Sequence, residues 1–148
     1  MTYIYTLFLF LLSMTVLNAQ QLQMRVIGAN LTVSDSVKLT VEGDFRLFGN
    51  AQIDNDGLME VNGYFINSGT SEGFVNRNDK GELLLKGVSS PTFVSGNLPL
   101  YFEKLTLDNP QGFNNGNDIF IENELEFING KLFSQNKLVT ILNDNGNA

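Results

Sequence analysis

Val41-Glu42-Gly43-Asp44-Phe45 returns twenty residues later as Val61-Asn62-Gly63-Tyr64-Phe65, and Gly49 aligns with Gly69 at the same offset. A looser third copy, Leu85-Lys86-Gly87, follows after a longer spacer. A recurring offset in the low twenties suits one turn of a solenoid, in which each coil contributes short strands and tight corners. One coil cannot bury its inward Val, Leu and Phe side chains, but a neighbouring coil can.

Outward from this echo the chain keeps the same texture. Leu31 to Val33, Val37 to Val41, Phe45 to Leu47, Leu58 to Val61, Tyr64 to Ile66 and Leu83 to Leu85 are short alternating runs. Phe102 to Leu107, Ile119 to Ile121, Leu125 to Ile128 and Leu138 to Leu142 continue the series. Alternation over three to six residues is the period of a strand. Gly and Asn between the runs supply positive φ and local turn bonding. No stretch after Ala19 carries a helical period. The expectation is an all-β solenoid, with a β-sandwich of antiparallel strands as the alternative. The pattern lapses between Gly69 and Gly81 and again from Ser89 to Pro99, and no linker demands a second domain.

The N-terminus differs from all of this. Its apolar run from Leu7 to Leu12 extends to Leu17 and ends in Asn18-Ala19 before Gln20. That is a signal-peptide pattern with the cut after Ala19. It predicts a signal over 1–19, a single domain over 20–148 and a secreted or cell-surface location. No later apolar run is long enough to cross a bilayer.

Composition removes several chemistries. The chain has 148 residues, a formal net charge of -7, and neither Cys, His nor Trp. Without Cys there is no disulfide framework, thiol nucleophile or thiolate metal site. Without His the commonest general base and metal ligand are missing. The acidic balance opposes binding to nucleic acid.

Candidate sites are few. Asp54, Asn55 and Asp56 before Gly57 are candidate Ca²⁺ ligands, since that ion takes oxygen donors. They match neither an EF-hand nor a Gly-Gly-x-Gly-x-Asp roll, and an Asx-rich corner explains them better. Asn76, Asn78 and Asp79 form a second cluster of the same kind. Asn55-Asp56-Gly57 and Asn67-Ser68-Gly69 read as turns, with stacked interior Asn side chains as a further expectation. Glu122, Glu124 and Glu126 alternate, so they share one face of a strand. Glycoside hydrolysis needs two carboxylates across a cleft, so three on one strand read as a solvated face. Tyr64, Tyr101, Phe102 and Phe113 are aromatics near expected corners and candidate contacts for a sugar or a protein partner, Tyr64 and Tyr101 foremost, while most other Phe read as core. Apart from the calcium candidates no cofactor is expected, and no enzyme.

The C-terminal half carries a resemblance. Phe102-Glu103-Lys104-Leu105-Thr106-Leu107-Asp108-Asn109, Leu125-Glu126-Phe127, Asn129-Gly130-Lys131-Leu132 and Asn136-Lys137-Leu138-Val139-Thr140-Ile141 form a degenerate repeat. Ser90 to Gly96 reads as its lead-in. This resembles the repeat region of large secreted adhesin-like proteins of the Bacteroidetes and Cytophaga group. The resemblance covers roughly Ser90 to Asn145. It implies a right-handed parallel β-helix in a protein exported by type IX secretion to the cell surface or medium. That family's C-terminal sorting domain is not visible, and its repeats continue where this chain reaches Ile141 to Ala148. The expectation is therefore a C-terminally truncated chain or part of a longer stack, with further solenoid repeats or another subunit at that end. The implied function is a non-catalytic structural or adhesive module facing a surface glycan or protein. The alternatives are a carbohydrate-binding or carbohydrate-processing β-helix and a component of an outer-membrane assembly.

Overall fold

The computed structural model describes residues 22–74, 80–87 and 91–142, and among these every regular element is a strand. The first coil holds β1 (Gln23–Ile27), β2 (Asn30–Val33) and β3 (Lys38–Val41). The second holds β4 (Asp44–Gly49), β5 (Gln52–Asn55) and β6 (Leu58–Val61). The third holds β7 (Phe65–Gly69) and β8 (Glu82–Lys86), with Phe74 bridging to Ile53 between them. The fourth holds β9 (Thr92–Gly96) and β10 (Leu100–Asp108), and the fifth β11 (Phe113–Asn115) and β12 (Ile119–Asn129). A further turn opens with β13 (Leu132–Phe133) and β14 (Val139–Ile141).

Every pairing between these strands is parallel and joins one coil to the next. One sheet runs β1-β4-β7-β9-β11-β13 and a second runs β3-β6-β8-β10-β12-β14. A short third side pairs β2 with β5. The result is a β-solenoid of about five turns, not a sandwich. Among the described residues no helix is long and apolar enough to cross a membrane.

The echo that predicts the coil is its register. Val41 pairs with Val61 and Phe45 with Phe65, while Gly49 meets Gly69. The looser copy holds as well, because Val61 pairs with Leu85. The side chains of these positions turn inward and line up. Leu39, Met59, Leu83, Leu105 and Leu125 form one column, and Val41, Val61, Leu85, Leu107 and Phe127 a second. Met24, Phe45, Phe65 and Val94 face them from the first sheet. Phe45 and Phe65 stack at 5.6 Å, and Phe102 meets Phe65 and Phe74 edge-on at 5.7 and 5.3 Å. Burying each such side chain stabilises by about 1.5–3 kcal/mol.

The offset is not constant. Leu58 pairs with Glu82 and Phe65 with Val94, both more than twenty residues on, because the third coil is longer than its neighbours. The stretch from Ser89 to Pro99, where alternation lapses, contains β9. Its inward side is short and polar-flanked, which hides the period. Conversely, Ile119 to Ile121 and Leu125 to Ile128 are one strand, β12. A register shift against β10 between Phe102 and Lys104 lets both strands turn a corner without a loop.

Two corners are closed to side chains. A Cβ on Gly63 would lie 2.5 Å from the carbonyl carbon of Gly43 and 2.6 Å from its oxygen. Gly43 itself has φ of 122°, in the region that favours glycine. Replacing Gly63 with Ala forces backbone apart and is expected to cost about 1–3 kcal/mol. Phe65→Ala empties the centre of the aromatic stack and is expected to cost about 3–5 kcal/mol. Urea unfolding followed by circular dichroism measures both, and a loss under half a kilocalorie per mole (roughly, the scale of an ordinary surface change) would contradict this packing.

Candidate functional site

Strand alternation decides where the candidate calcium ligands go. Asn55, the last residue of β5, is buried, and its Nδ2 donates to the carbonyl of Glu82 in the next coil at 3.1 Å. Asp54 precedes it on the opposite side of the strand, in register with Thr32. Asp56 belongs to the corner, where its backbone N–H donates to Val33 O at 2.8 Å. Asn55 thus works inside the coil while the two Asp flank it. Among the described residues no group of three or more acidic side chains is gathered as a metal ion would need. The second cluster, Asn76, Asn78 and Asp79, lies outside the described residues.

Among the described residues the interior Asn side chains form no ladder. Asn67 sits between Leu47 and Gly96, and Asn115 beside Val94. Each instead closes its own corner. Asn67 Oδ1 accepts from Gly69 N at 3.0 Å, Asn109 Oδ1 from Gln111 N at 2.9 Å, and Asn115 Oδ1 from Asn117 N at 3.2 Å. These are Asx turns, which satisfy backbone donors that a tight bend leaves bare. Their Nδ2 groups reach on to Ser71 O at 2.8 Å, Thr92 Oγ1 at 2.9 Å and Leu138 O at 3.5 Å. Asn97 and Asn117 tie coils together from outside the turn, donating to Ser68 O at 3.0 Å and Gly96 O at 2.8 Å.

The two tyrosines are not brought together. Tyr64 stands on the corner between β6 and β7, where its backbone N–H donates to Asp44 Oδ1 at 3.1 Å. Tyr101 stands on β10 and stacks on Phe120 of the next coil at 4.9 Å, with the rings inclined by 14°. Both rings are half-buried and point away from the core that takes Leu100, Phe102, Ile119 and Ile121. Phe102 and Phe113, expected near corners as contacts of the same kind, are instead buried in the core, because their strands turn these positions inward.

A charged stripe runs along the outside of the second sheet, and sequence reasoning caught only its far end. Glu60 is nearly buried, with Lys38 Nζ at 2.7 Å and Lys86 Nζ at 3.4 Å. Thr106 Oγ1 donates to Glu82 Oε1 at 2.6 Å. Lys104 Nζ stands 3.0 Å from both Glu124 and Glu126. Glu122 falls in the bulge between Ile121 and Glu124, which resets the alternation, so it does not share one regular strand face with this pair as the sequence suggested. Opposite charges separated by one coil in sequence are the signal that would have located the stripe.

The stripe shifts two titrations. The hydrogen bond from Lys38 holds the Glu60 carboxyl below its ordinary range, against the opposing effect of burial and with further help from the charge of Lys86. The hydrogen bonds to Glu124 and then Glu126 raise the Lys104 ammonium above its ordinary value.

No family model, curated protein or solved structure matches this chain.

A carboxyl with a depressed folded pKa stabilises fully above its unfolded value, about 4.3 for Glu, and loses that contribution as pH falls through the folded value. Acidification below about pH 4.3 is therefore expected to destabilise the wild type more steeply than Glu60→Gln. For Lys104 the sign is reversed: its contribution is complete below its unfolded value, about 10.4, and fades as pH rises through the folded one. Urea midpoints at a series of pH values test both, and parallel curves for wild type and Glu60→Gln would refute the first.

Proposed function

We propose that this chain is a non-catalytic structural or adhesive module of an exported bacterial surface protein. The observation that carries the reading is the division of labour within each coil. Inward positions form continuous apolar columns, buried Asn side chains close corners, and buried carboxylates such as Asp44 and Glu60 are bound to Arg46, Lys38 and Lys86. What such a stack offers a partner is its outer sides, held at the fixed spacing of about 4.8 Å between strands. The leader over 1–19 supports export and lies outside the described residues.

One observation favours carbohydrate as the partner class. Tyr101 and Phe120 form an outward aromatic step across two coils, and flat apolar rings are the surface on which the CH faces of a sugar pack.

Expression of the full chain in an exporting host, with mass spectrometry of the recovered protein, tests export. The expected product lies outside the cytoplasm and begins at Gln20. A cytoplasmic product retaining Met1 would overturn the assignment. For the glycan reading, Tyr101→Ala and Phe120→Ala are each expected to weaken binding on a glycan array about tenfold, the effect of about 1.4 kcal/mol. Equal binding by wild type and both variants would remove carbohydrate from consideration.

A further inference from the structure

Among the described strand pairs, one alone sets like charges side by side. Arg25 of β1 and Arg46 of β4 are register partners on the outside of the first sheet, in strands about 4.8 Å apart. Like charges at paired positions repel, so the pair stands only with a counter-charge. Asp44 supplies part of it. Its side chain is 2% exposed, and Arg46 Nη2 donates to its Oδ2 at 2.9 Å. Arg46 Nε is buried and has no hydrogen-bond partner among the described residues. Arg25 pairs with no carboxylate among the described residues. Its Nε donates to the neutral Gln23 Oε1 at 3.0 Å, and its guanidinium lies 5.7 Å over the Phe48 ring. Two cations and one anion leave this patch with one positive charge, on a chain whose net charge is -7.

An apolar step stands beside the cations. Ile27 and Phe48 are the next outward pair along the same two strands, and Ile27 is 67% exposed. The four residues span about 4.8 Å across the strands and about 7 Å along them, from the strand spacing and the rise of two residues. That is the footprint of a single sugar ring. We infer that this patch takes a carboxylated sugar at the end of a glycan, with the carboxylate between the Arg25 and Arg46 guanidiniums and the ring on Ile27 beside Phe48. The inference rests on the glycan reading above and adds a class of sugar to it, at a place on the other sheet from Tyr101 and Phe120.

Charge selects this occupant over its rivals. A guanidinium offers a fork of donors that matches a carboxylate in two parallel bonds, and one carboxylate balances the single excess charge. A polyanion, whether nucleic acid or a chain of uronates, brings more charge than the patch can match and meets the repulsion of the net -7. An extended acidic peptide draws its affinity from main-chain bonds to a sheet edge, which the outer side of a sheet does not offer. A neutral sugar leaves the excess cation unmatched.

The test titrates the isotope-labelled full chain, recovered from an exporting host, with methyl glucuronide, methyl glucoside and acetate, and follows side-chain signals by NMR. Each probe is taken to about 10 mM, ten times a millimolar Kd. The expected result is a saturable shift of the Arg25 and Arg46 guanidinium signals with glucuronide, and binding about tenfold weaker or less for glucoside and acetate. Arg25→Gln and Ile27→Ser change exposed side chains, and each is expected to weaken glucuronide binding about tenfold. Arg46 is left intact, because its removal would strand the buried Asp44 carboxylate. Acetate binding as tightly as glucuronide overturns the inference, since the patch then takes any small anion. Glucuronide binding that either variant leaves unchanged overturns it too. A shift at Tyr101 and Phe120 in place of the arginines overturns this site and leaves the glycan reading standing. No response to any of the three probes overturns it as well, and the glycan array decides separately whether the Tyr101 step binds another sugar.

Discussion

The structure depends on stacking between coils. A coil of about twenty residues encloses too few side chains to exclude water from them. Its backbone donors and acceptors point along the stack axis, towards the neighbouring coil. Both needs are met by the same neighbour. Parallel pairing of Phe45 with Phe65 and of Val41 with Val61 satisfies the backbone and, in the same register, places Phe on Phe and Val on Val. Burial and hydrogen bonding are therefore not separate contributions here. A slip of one residue would break both, since alternate side chains would leave the core.

The corners then set how closely coils approach. Gly63 lies so near the Gly43 carbonyl that no side chain fits between them. Asn67, Asn109 and Asn115 solve the complementary difficulty, a bent backbone with bare N–H groups facing an apolar interior. Leaving such a group unpaired costs about 1–3 kcal/mol. An Asn side chain folded back on the residue two places on removes that cost, and its amide remains available to the next strand. The buried Asn are thus part of the core, chosen for hydrogen bonding where Leu or Val could not serve.

Much of the fold was legible in the sequence, and the reasons differ by element. Strands β3, β6, β8 and the second half of β10 were visible because every second residue is a large apolar side chain turned inward, although Leu58 and Leu84 stand on the outward side. The register between coils was visible at Gly43/Gly63 and Val41/Val61, where both geometry and packing restrict the residue. Strand β9 was hidden, because its inward positions include Thr92 and Gly96 instead of large apolar residues. The continuity of β12 was hidden too, since a bulge at Glu122 and Asn123 resets the alternation midway. The interior Asn were recognised as turn residues, but their expected stacking was not found. A ladder needs Asn at one register position in successive coils, and Asn67 and Asn115 each have different neighbours. Of the candidate site residues, Tyr101 was read as lying near a corner, whereas it stands within β10 on an outward face and stacks on Phe120 of the next coil.

The faintness of the repeat has a physical cause in the charged stripe. Inward columns can repeat the same residue, because Leu on Leu packs well. Outward columns cannot repeat a charge. Two like charges on adjacent strands about 4 Å apart repel by about 1 kcal/mol in water and about 4 kcal/mol near a protein surface. The observed columns avoid that contact. One reads Lys38, Leu58, Glu82, Lys104, Glu124, and its neighbour reads Thr40, Glu60, Leu84, Thr106, Glu126. No like charges are adjacent in either, and opposite charges meet along and between them. The repeat must therefore degenerate on the outside to remain stable on the inside. A sequence comparison weighted equally over all positions sees mostly the part that cannot recur, and the coil is recognised only where Gly, Val and Phe mark its corners and core.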